Sequence, residues 1–168
     1  GTYFPNTWAG SWGGDMTYDG RYIWQVNVGG DNDLYQWDPY TGAVVSTISD
    51  PIGYWDYISQ RGVGYDAALD IFYIGGWNDN VIYEIKGQSW DNPGEIIRAW
   101  SDPFGGLAGI SFDPARRTVW CTESGTDNTI WEFDPATSTI LNVYTFTSLG
   151  DYALAGCEID ANGLLWFV

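Results

Sequence analysis

The sequence has 168 residues, and its 22 Asp and Glu against 6 Lys and Arg give a formal net charge of −16 at pH 7. Such a charge repels the phosphates of nucleic acids and anionic membranes, so nucleic-acid binding is not expected. The sequence contains no stretch of about 20 apolar residues, which is the length needed to span a bilayer, so membrane insertion is not expected either. The absence of histidine excludes Ser/His/Asp triads, Cys/His pairs and His-ligated zinc sites.

An internal repeat divides the chain. A short motif that begins with Gly and ends with Asp occurs four times, and its closing residues lie 47 residues apart, at Asp19, Asp66, Asp113 and Asp160. The 11 Trp, 12 Tyr and 22 Gly of the chain favour twisted sheets and tight turns over helices. The regular spacing therefore predicts a repeat architecture made of strands.

The strands are predicted in the same order in every repeat. Strand one ends at the closing Asp, and strand two follows a short turn, at 22–24, 71–73, 118–120 and 164–166. Strand three is predicted at 34–37, 82–85 and 130–133, and strand four at 44–48, 95–100 and 140–146. Four short antiparallel strands in about 45 residues are typical of a β-propeller blade.

Strand one carries bulky side chains on one face and mostly small residues on the other. Gly62, Gly109 and Gly156 stand at equivalent positions of the small face, where the first repeat has Asp15. Because the innermost strand lies closest to its neighbours, we expect the small face to leave room for the adjacent blade.

The predicted fold class is all-β, with β-propeller blades of four antiparallel strands: three complete blades plus half of a fourth. A single propeller segment covers 1–168, with approximate blades at 8–52, 53–104, 105–148 and, in part, 149–168. An incomplete propeller leaves strand edges open, so further chain or another subunit is expected to complete the ring. We expect the edge at 164–168 to pair with a strand from outside these residues, or with one at 2–4.

The third strand and its turn carry a family resemblance. Residues 130–137 (Ile-Trp-Glu-Phe-Asp-Pro-Ala-Thr) and their weaker copy at 34–41 resemble the secreted bacterial repeat propellers of the YVTN/NHL type, which are appended to large extracellular proteins. The resemblance implies an extracellular or cell-surface location. It implies no activity, because architecture transfers and function does not.

Candidate sites fall mainly in the turns after strand two and in the loops before strand one. These loops combine flat aromatic side chains with Asp and Asn, as in sugar recognition, although aromatic residues at blade junctions also serve as buried packing. The candidate ligand-binding residues are Trp12, Trp55, Tyr57, Trp77, Asn78, Asp151 and Tyr152. The candidate ligands for Ca²⁺, the cation to which this acidic surface points, are Asp31, Asp33, Asp79 and Asp127, although Asp is also an ordinary turn residue.

Two cysteines lie in the last two repeats. Cys121 is predicted on strand two of the third blade and Cys157 on strand one of the partial blade. The two could form a disulfide between adjacent blades, and two small buried thiols fit the pattern as well.

These features favour a noncatalytic extracellular module that binds a glycan or protein partner. The first alternative is a structural subunit of an extracellular ring or filament that neighbouring chains complete. The second is a glycan-active enzyme that uses carboxylates alone, as a pair such as Asp31 and Asp33 would allow. No catalytic residue is assigned, and the prediction is that the chain is not an enzyme.

Overall fold

The structure, a computed structural model, describes residues 3–4, 12–57, 60–101, 103–124, 128–147 and 154–168, with Trp12 described by its backbone alone. Within these residues the strands form three sheets of four strands and one of two. The first blade consists of β1 (Trp12–Tyr18), β2 (Ile23–Val28), β3 (Leu34–Trp37) and β4 (Val44–Ile48). The second consists of β5 (Gln60–Asp66), β6 (Ile71–Gly76), β7 (Ile82–Lys86) and β8 (Ile96–Trp100). The third consists of β9 (Leu107–Asp113), β10 (Thr118–Glu123), β11 (Thr129–Asp134) and β12 (Thr139–Thr145), and the partial fourth of β13 (Cys157–Ile159) and β14 (Leu165–Phe167).

All neighbouring strands within a blade are antiparallel and follow the order of the chain. In each complete blade the register shifts between the third and fourth strands at the same place, for instance between Glu84 and Ile85 in the second blade. The predicted fold class, three complete blades and half of a fourth, is confirmed. No helix in the described residues is long and apolar enough to cross a membrane.

Glycines on the first strands let the blades approach one another closely. A Cβ added to Gly62 would lie 2.7 Å from Cγ1 of Ile110 and 2.9 Å from the carbonyl carbon of Gly109. A Cβ added to Gly109 would lie 2.4 Å from the backbone oxygen of Ala155 in the next blade. Since even one methyl group would overlap backbone atoms, the small face that the sequence predicts is confirmed as the surface on which blades meet.

Apolar side chains fill the spaces between consecutive blades. Large aromatic residues occupy the space between the first two blades, where the ring centroids of Trp24 and Phe72 are 4.8 Å apart. Between the second and third blades the rings of Tyr73 and Phe112 stack with centroids 5.5 Å apart. Burial of such side chains is the main contribution to the stability of this fold.

The two ends of the array expose apolar side chains. Tyr18 on β1 is 56% exposed, and Trp166 on β14 is 64% exposed. β14 pairs with β13, and in the described part of the chain no strand lies on its other edge. The alternative that residues 2–4 cover this edge is wrong for Phe4, which lies against Gly42 in the first blade, and Thr2 lies outside the described residues. Completion by a strand from outside these residues, and with it the ring or filament hypothesis, stays a prediction.

An ion pair joins the second blade to the third. Arg117 donates to both oxygens of Asp66, with N–O distances of 2.8 and 2.5 Å, and Asp66 is only 1% exposed. We expect Arg117→Met to lower the free energy of unfolding by about 2 kcal/mol, because it leaves a buried carboxylate without its cation. The loss is smaller than for a fully buried pair because the Arg117 side chain is 45% exposed and water screens its charge. Urea denaturation followed by Trp fluorescence measures the change.

A surface pair provides the matched control for this substitution. Lys86 pairs with Glu95, whose side chain is 43% exposed. Lys86→Met should therefore lower stability much less than Arg117→Met does, because water screens an exposed ion pair. Equal losses in the two variants would contradict the assigned role of the Asp66 pair.

Candidate functional site

The first strands of all four blades meet around a cleft of about 320 Å³, which we call the axial cleft. This volume lies at the lower end of the range of small-ligand sites. Its walls are mostly apolar or glycine, with Asp15 and Arg61 as the charged members. The lining residues that matter below are Asp15, Val28, Arg61, Trp77, Ala108 and Leu154.

Asp15 reaches the cleft because β1 is irregular at its start. The register of β1 against β2 shifts between Gly13 and Met16, and such a bulge redirects the side chains within it. Oδ2 of Asp15 accepts hydrogen bonds from the backbone N–H groups of Val63 (3.3 Å) and Ile110 (3.0 Å). One carboxyl group thereby ties the first strands of three blades together.

The fourth blade approaches the same carboxyl group. A Cβ on Gly156 would lie 3.2 Å from Oδ1 of Asp15, so glycine is what leaves space for the carboxyl group there. Asp15 thus contacts the second and third blades through hydrogen bonds and lies beside Gly156 of the fourth. In the sequence, Asp15 stands at the repeat position that Gly62, Gly109 and Gly156 occupy in the other blades. This difference points to a site only when the structure shows that the first strands come together.

Burial raises the pKa of Asp15 to about 8, and the negative charge of Glu158 acts in the same direction. The N–H groups of Ile110 and Val63 lower the pKa, but by less than burial raises it. Asp15 is therefore largely protonated at neutral pH and can act as a hydrogen-bond donor on the cleft wall.

Arg61 and Trp77 form the other polar part of the cleft. The guanidinium carbon of Arg61 lies 4.1 Å from the centroid of the Trp77 ring, within the range of a cation–π contact. Burial lowers the pKa of Arg61 below its ordinary value. The axial cleft therefore combines a guanidinium group, a carboxyl group that holds a proton and an apolar wall.

The predicted aromatic ligand-binding residues separate into different environments. Trp77 lines the axial cleft, and Asn78 and Tyr57 are exposed, Tyr57 by 84%. Trp55 is fully buried, and its indole N–H donates to the backbone oxygen of Gly94 at 2.8 Å. The prediction that Trp55 contacts a ligand is wrong, because the ring fills the space between the first two blades.

For three of the predicted ligand-binding residues, the structure does not describe the side chain. Asp151 and Tyr152 lie outside the described residues, and so does the side chain of Trp12. Their contribution to a binding surface stays a prediction.

The turn carboxylates bind tyrosines of their own blades. Asp31 accepts a hydrogen bond from the hydroxyl of Tyr35 (2.5 Å), and Asp79 accepts one from the hydroxyl of Tyr83 (2.6 Å). This Asp-to-Tyr spacing recurs 48 residues later and is visible in the sequence, although the sequence analysis did not single it out. The contact closes the turn between the second and third strands.

Metal ligation by these carboxylates stays a prediction. Burial raises the pKa of Asp33 to about 6, and the charges of Asp31 and Asp56 add to the effect. In the part of the chain that the structure describes, no group of three or more Cys, Asp or Glu is placed to hold a metal ion. Asp127 lies outside the described residues.

Cys121 and Cys157 are both buried free thiols. The structure therefore contains two small buried thiols, as one of the two interpretations predicted, and not a disulfide between blades. The thiol of Cys157 donates to the backbone oxygen of Trp120 at 3.7 Å. Burial raises the pKa of both thiols, which makes them poor nucleophiles.

No protein-family model matches the chain, and no curated protein matches it in sequence. Several solved structures resemble it. The hydrazine synthase of Kuenenia stuttgartiensis is 16% identical with a TM-score of 0.65, and the match covers 96% of this chain and 44% of that one. The glutaminyl cyclase of Myxococcus xanthus is 14% identical with a TM-score of 0.67, covering 93% and 60%. The WD40 repeats of RRP9 are 12% identical with a TM-score of 0.63, covering 87% and 41%.

At these identities the likeness shows the fold alone, and that fold is a β-propeller. The chain spans between 41% and 60% of the length of these three structures. The narrower YVTN/NHL resemblance stays a prediction.

The prediction that the chain is not an enzyme is wrong, because the propeller architecture on which it rested also occurs in enzymes. Two of the similar structures carry the names of enzymes, a hydrazine synthase and a glutaminyl cyclase. Propellers of this shape therefore occur both in enzymes and in WD40 proteins. The identities of 16% and 14% transfer neither activity to this chain.

Proposed function

We propose that this chain is a β-propeller module that binds a protein partner by taking a side chain or chain end of that partner into the axial cleft. The observation that carries the proposal is the combination of Arg61, which lies against the Trp77 ring, with the partly buried carboxyl group of Asp15 in one cleft. Arg and Trp are the residue types that contribute most at protein interfaces.

The cleft suits a peptide group better than a sugar. The guanidinium group of Arg61 covers part of the Trp77 ring, which reduces the flat surface on which a sugar would stack. Val28, Ala108 and Leu154 add an apolar wall, which fits an aliphatic side chain beside a carboxylate or carbonyl group bound to Arg61. The predicted extracellular location is part of the proposal, and it rests on the sequence resemblance of residues 34–41 and 130–137.

A display library of short linear peptides tests the proposal, with a glycan array probed in parallel. We expect the library to yield a family of related peptides whose affinity falls about tenfold or more in Trp77→Ala. Tyr57→Ala is the matched control, because it removes an exposed aromatic ring that does not line the cleft. Its affinity for the same peptides should equal that of the unsubstituted chain.

Two results would overturn the proposal. One is a library that yields no related peptides, or peptides whose binding does not depend on Trp77. The other is a set of glycans bound through Tyr57, which would favour the glycan hypothesis.

A further inference from the structure

The two ionisable side chains that line the axial cleft, Asp15 and Arg61, both act as hydrogen-bond donors. The guanidinium group of Arg61 has five N–H bonds and no acceptor. Asp15 is a donor because burial raises its pKa to about 8, so that the carboxyl group holds its proton at neutral pH. A ligand group that bonds to both side chains must therefore bring acceptor oxygens.

The backbone around Asp15 leaves the carboxyl proton as the part of this group that a ligand can use. Oδ2 accepts the N–H groups of Val63 (3.3 Å) and Ile110 (3.0 Å), and the N–H of Met16 also hydrogen-bonds to the carboxyl group. With two donors on Oδ2, we place the proton on Oδ1. A Cβ on Gly156 would lie 3.2 Å from Oδ1, and Gly156 is part of the cleft wall. The proton therefore lies on the side of Asp15 that borders the cleft.

Arg61 supplies the positive charge of the cleft and holds it against an aromatic ring. Its guanidinium carbon lies 4.1 Å from the centroid of the Trp77 ring. A guanidinium group binds a carboxylate through two parallel N–H bonds, which adds geometric selectivity to the attraction of charge. One cation beside a neutral carboxyl group suits a ligand with a single negative charge. A doubly charged phosphate would be repelled more strongly by the net charge of −16 of the chain.

An apolar wall lies beside these donors. Val28, Ala108 and Leu154 line the cleft, and all three are buried. In the last residue of a peptide, an aliphatic side chain and a carboxylate are attached to the same Cα, so the two groups reach neighbouring surfaces together. In Asp or Glu the carboxylate ends the side chain, and no aliphatic group lies beside it. The volume of about 320 Å³ suits a single residue better than a longer segment.

We propose that the axial cleft binds the free C-terminal carboxylate of a partner peptide that ends in an aliphatic residue, with Arg61 and Asp15 as its donors. The proposal rests on the function proposed above and narrows it to one kind of chain end. The side chain of the last residue packs against Val28, Ala108 and Leu154.

N-acetyl-L-leucine is the probe, and N-acetyl-L-leucinamide, which lacks the negative charge, is its matched control. Two-dimensional NMR of the ¹⁵N-labelled chain is the readout, because the amides of Val63 and Ile110 donate to Asp15. We expect saturable shifts of both amides with a dissociation constant in about the millimolar range, as for other ligands of this size. The leucinamide should bind about tenfold more weakly or not at all. The Ala68 amide, which donates to Asp66 outside the cleft, should not move.

Two further comparisons test the cation and the apolar wall. Arg61→Met should abolish saturable binding of N-acetyl-L-leucine. Arg21→Met is the matched control, because Arg21 also lies against an aromatic ring, 4.7 Å from the centroid of Tyr22, but does not line the cleft. Its affinity for the probe should equal that of the unsubstituted chain. N-acetylglycine, which lacks the aliphatic side chain, should bind about tenfold more weakly than N-acetyl-L-leucine.

The pH dependence of binding tests the role of Asp15. The charged and titratable groups around it are Arg61 on β5 and Glu158 and Cys157 on β13. Burial raises the pKa of Glu158 to about 7, so the series is run in Glu158→Gln, and burial raises the pKa of Cys157 so far that it stays a neutral thiol. In Glu158→Gln the affinity for N-acetyl-L-leucine should fall about tenfold between about pH 6 and pH 9, because ionised Asp15 repels the carboxylate. Asp15→Asn in the same background should show no such fall.

Several results would overturn the proposal. They are equal affinities for N-acetyl-L-leucine and its amide, saturable binding in Arg61→Met, an affinity in Glu158→Gln that does not change with pH, and no saturable shift in the unsubstituted chain. The acid and amide are compared in the unsubstituted chain, so that test does not depend on the folding of any variant. Library peptides that depend on Trp77 and bind equally well with an amidated C-terminus would overturn this proposal and leave the function proposed above intact. A library without such peptides, together with no response to N-acetyl-L-leucine, would overturn both.

Discussion

Replacing Gly109 with alanine should lower the free energy of unfolding by about 3 kcal/mol or more, because the added methyl group has no space. It would lie 2.4 Å from the backbone oxygen of Ala155 and 2.5 Å from the backbone nitrogen of Cys157. Backbone atoms cannot rotate away as the end of a side chain can, so the third and fourth blades would have to separate. Chemical denaturation followed by Trp fluorescence measures the loss.

Gly105 offers a glycine-to-alanine control in the same chain. A Cβ there would meet only the carboxylate end of Glu123, whose nearest atom is 2.7 Å away and can rotate aside. Gly105→Ala should therefore change stability by less than about 1 kcal/mol. If Gly109→Ala is equally mild, then the first strands of neighbouring blades are not in direct contact.

Asp15→Asn should remove the contribution of Asp15 to the pH dependence of stability between about pH 4 and pH 8. The pKa of Asp15 is raised by burial from its ordinary 3.8 to about 8 in the folded chain. Because the folded state favours the protonated form, the stabilising contribution is complete below pH 4 and is lost as the pH rises through 8. The loss is on the order of a few kcal/mol, at about 1.4 kcal/mol for each pKa unit.

Asparagine resembles the protonated carboxyl group in shape and keeps an oxygen that can accept the N–H groups of Val63 and Ile110. The variant should match the unsubstituted chain near pH 4 and exceed it in stability near pH 8. Burial also raises the pKa of Glu158 to about 7, so the unsubstituted chain and the variant share that second titration. The difference between their unfolding free energies across the pH range gives the contribution of Asp15 together with its interaction with Glu158. Parallel curves would refute the assigned environment of Asp15.

Asp160→Asn is a control of opposite sign. Hydrogen bonds from the backbone N–H of Leu164 and the indole of Trp166 lower the pKa of this exposed carboxylate. Its contribution is therefore present above its unfolded pKa and is lost as the pH falls. Near neutral pH the two variants should therefore depart from the unsubstituted chain in opposite directions, Asp15→Asn toward higher stability and Asp160→Asn toward lower stability.

The fold could be predicted from the sequence because the repeat leaves few architectures that fit it. Four motifs at one spacing, each followed by an aromatic-rich strand, predict blades, and the alternation of small and bulky residues predicts the face on which blades meet. Both properties depend on local pattern and strand periodicity. Both can therefore be predicted without knowing which strands come together in space.

The site was harder to predict because it depends on the convergence of distant strands. The fully buried Trp55 and the cleft-lining Trp77 both belong to loops rich in aromatic and acidic residues, so local composition does not separate packing from binding. Asp15 and Arg61 were not assigned to a site, since neither belongs to a known catalytic or metal-binding motif. What joins them is the approach of strands 47 residues apart in the chain.

The bond from Asp15 to Ile110 also bears on how the blades share their stability. In a linear array of repeats, each unit is coupled to its immediate neighbours, and a terminal unit can fray while the others stay folded. Most contacts between blades here join chain neighbours, but β1 also contacts β9. Asp15 thereby links the first blade directly to the third, so that detachment of the first blade would also break its bond to Ile110. We expect the first three blades to unfold as one cooperative unit.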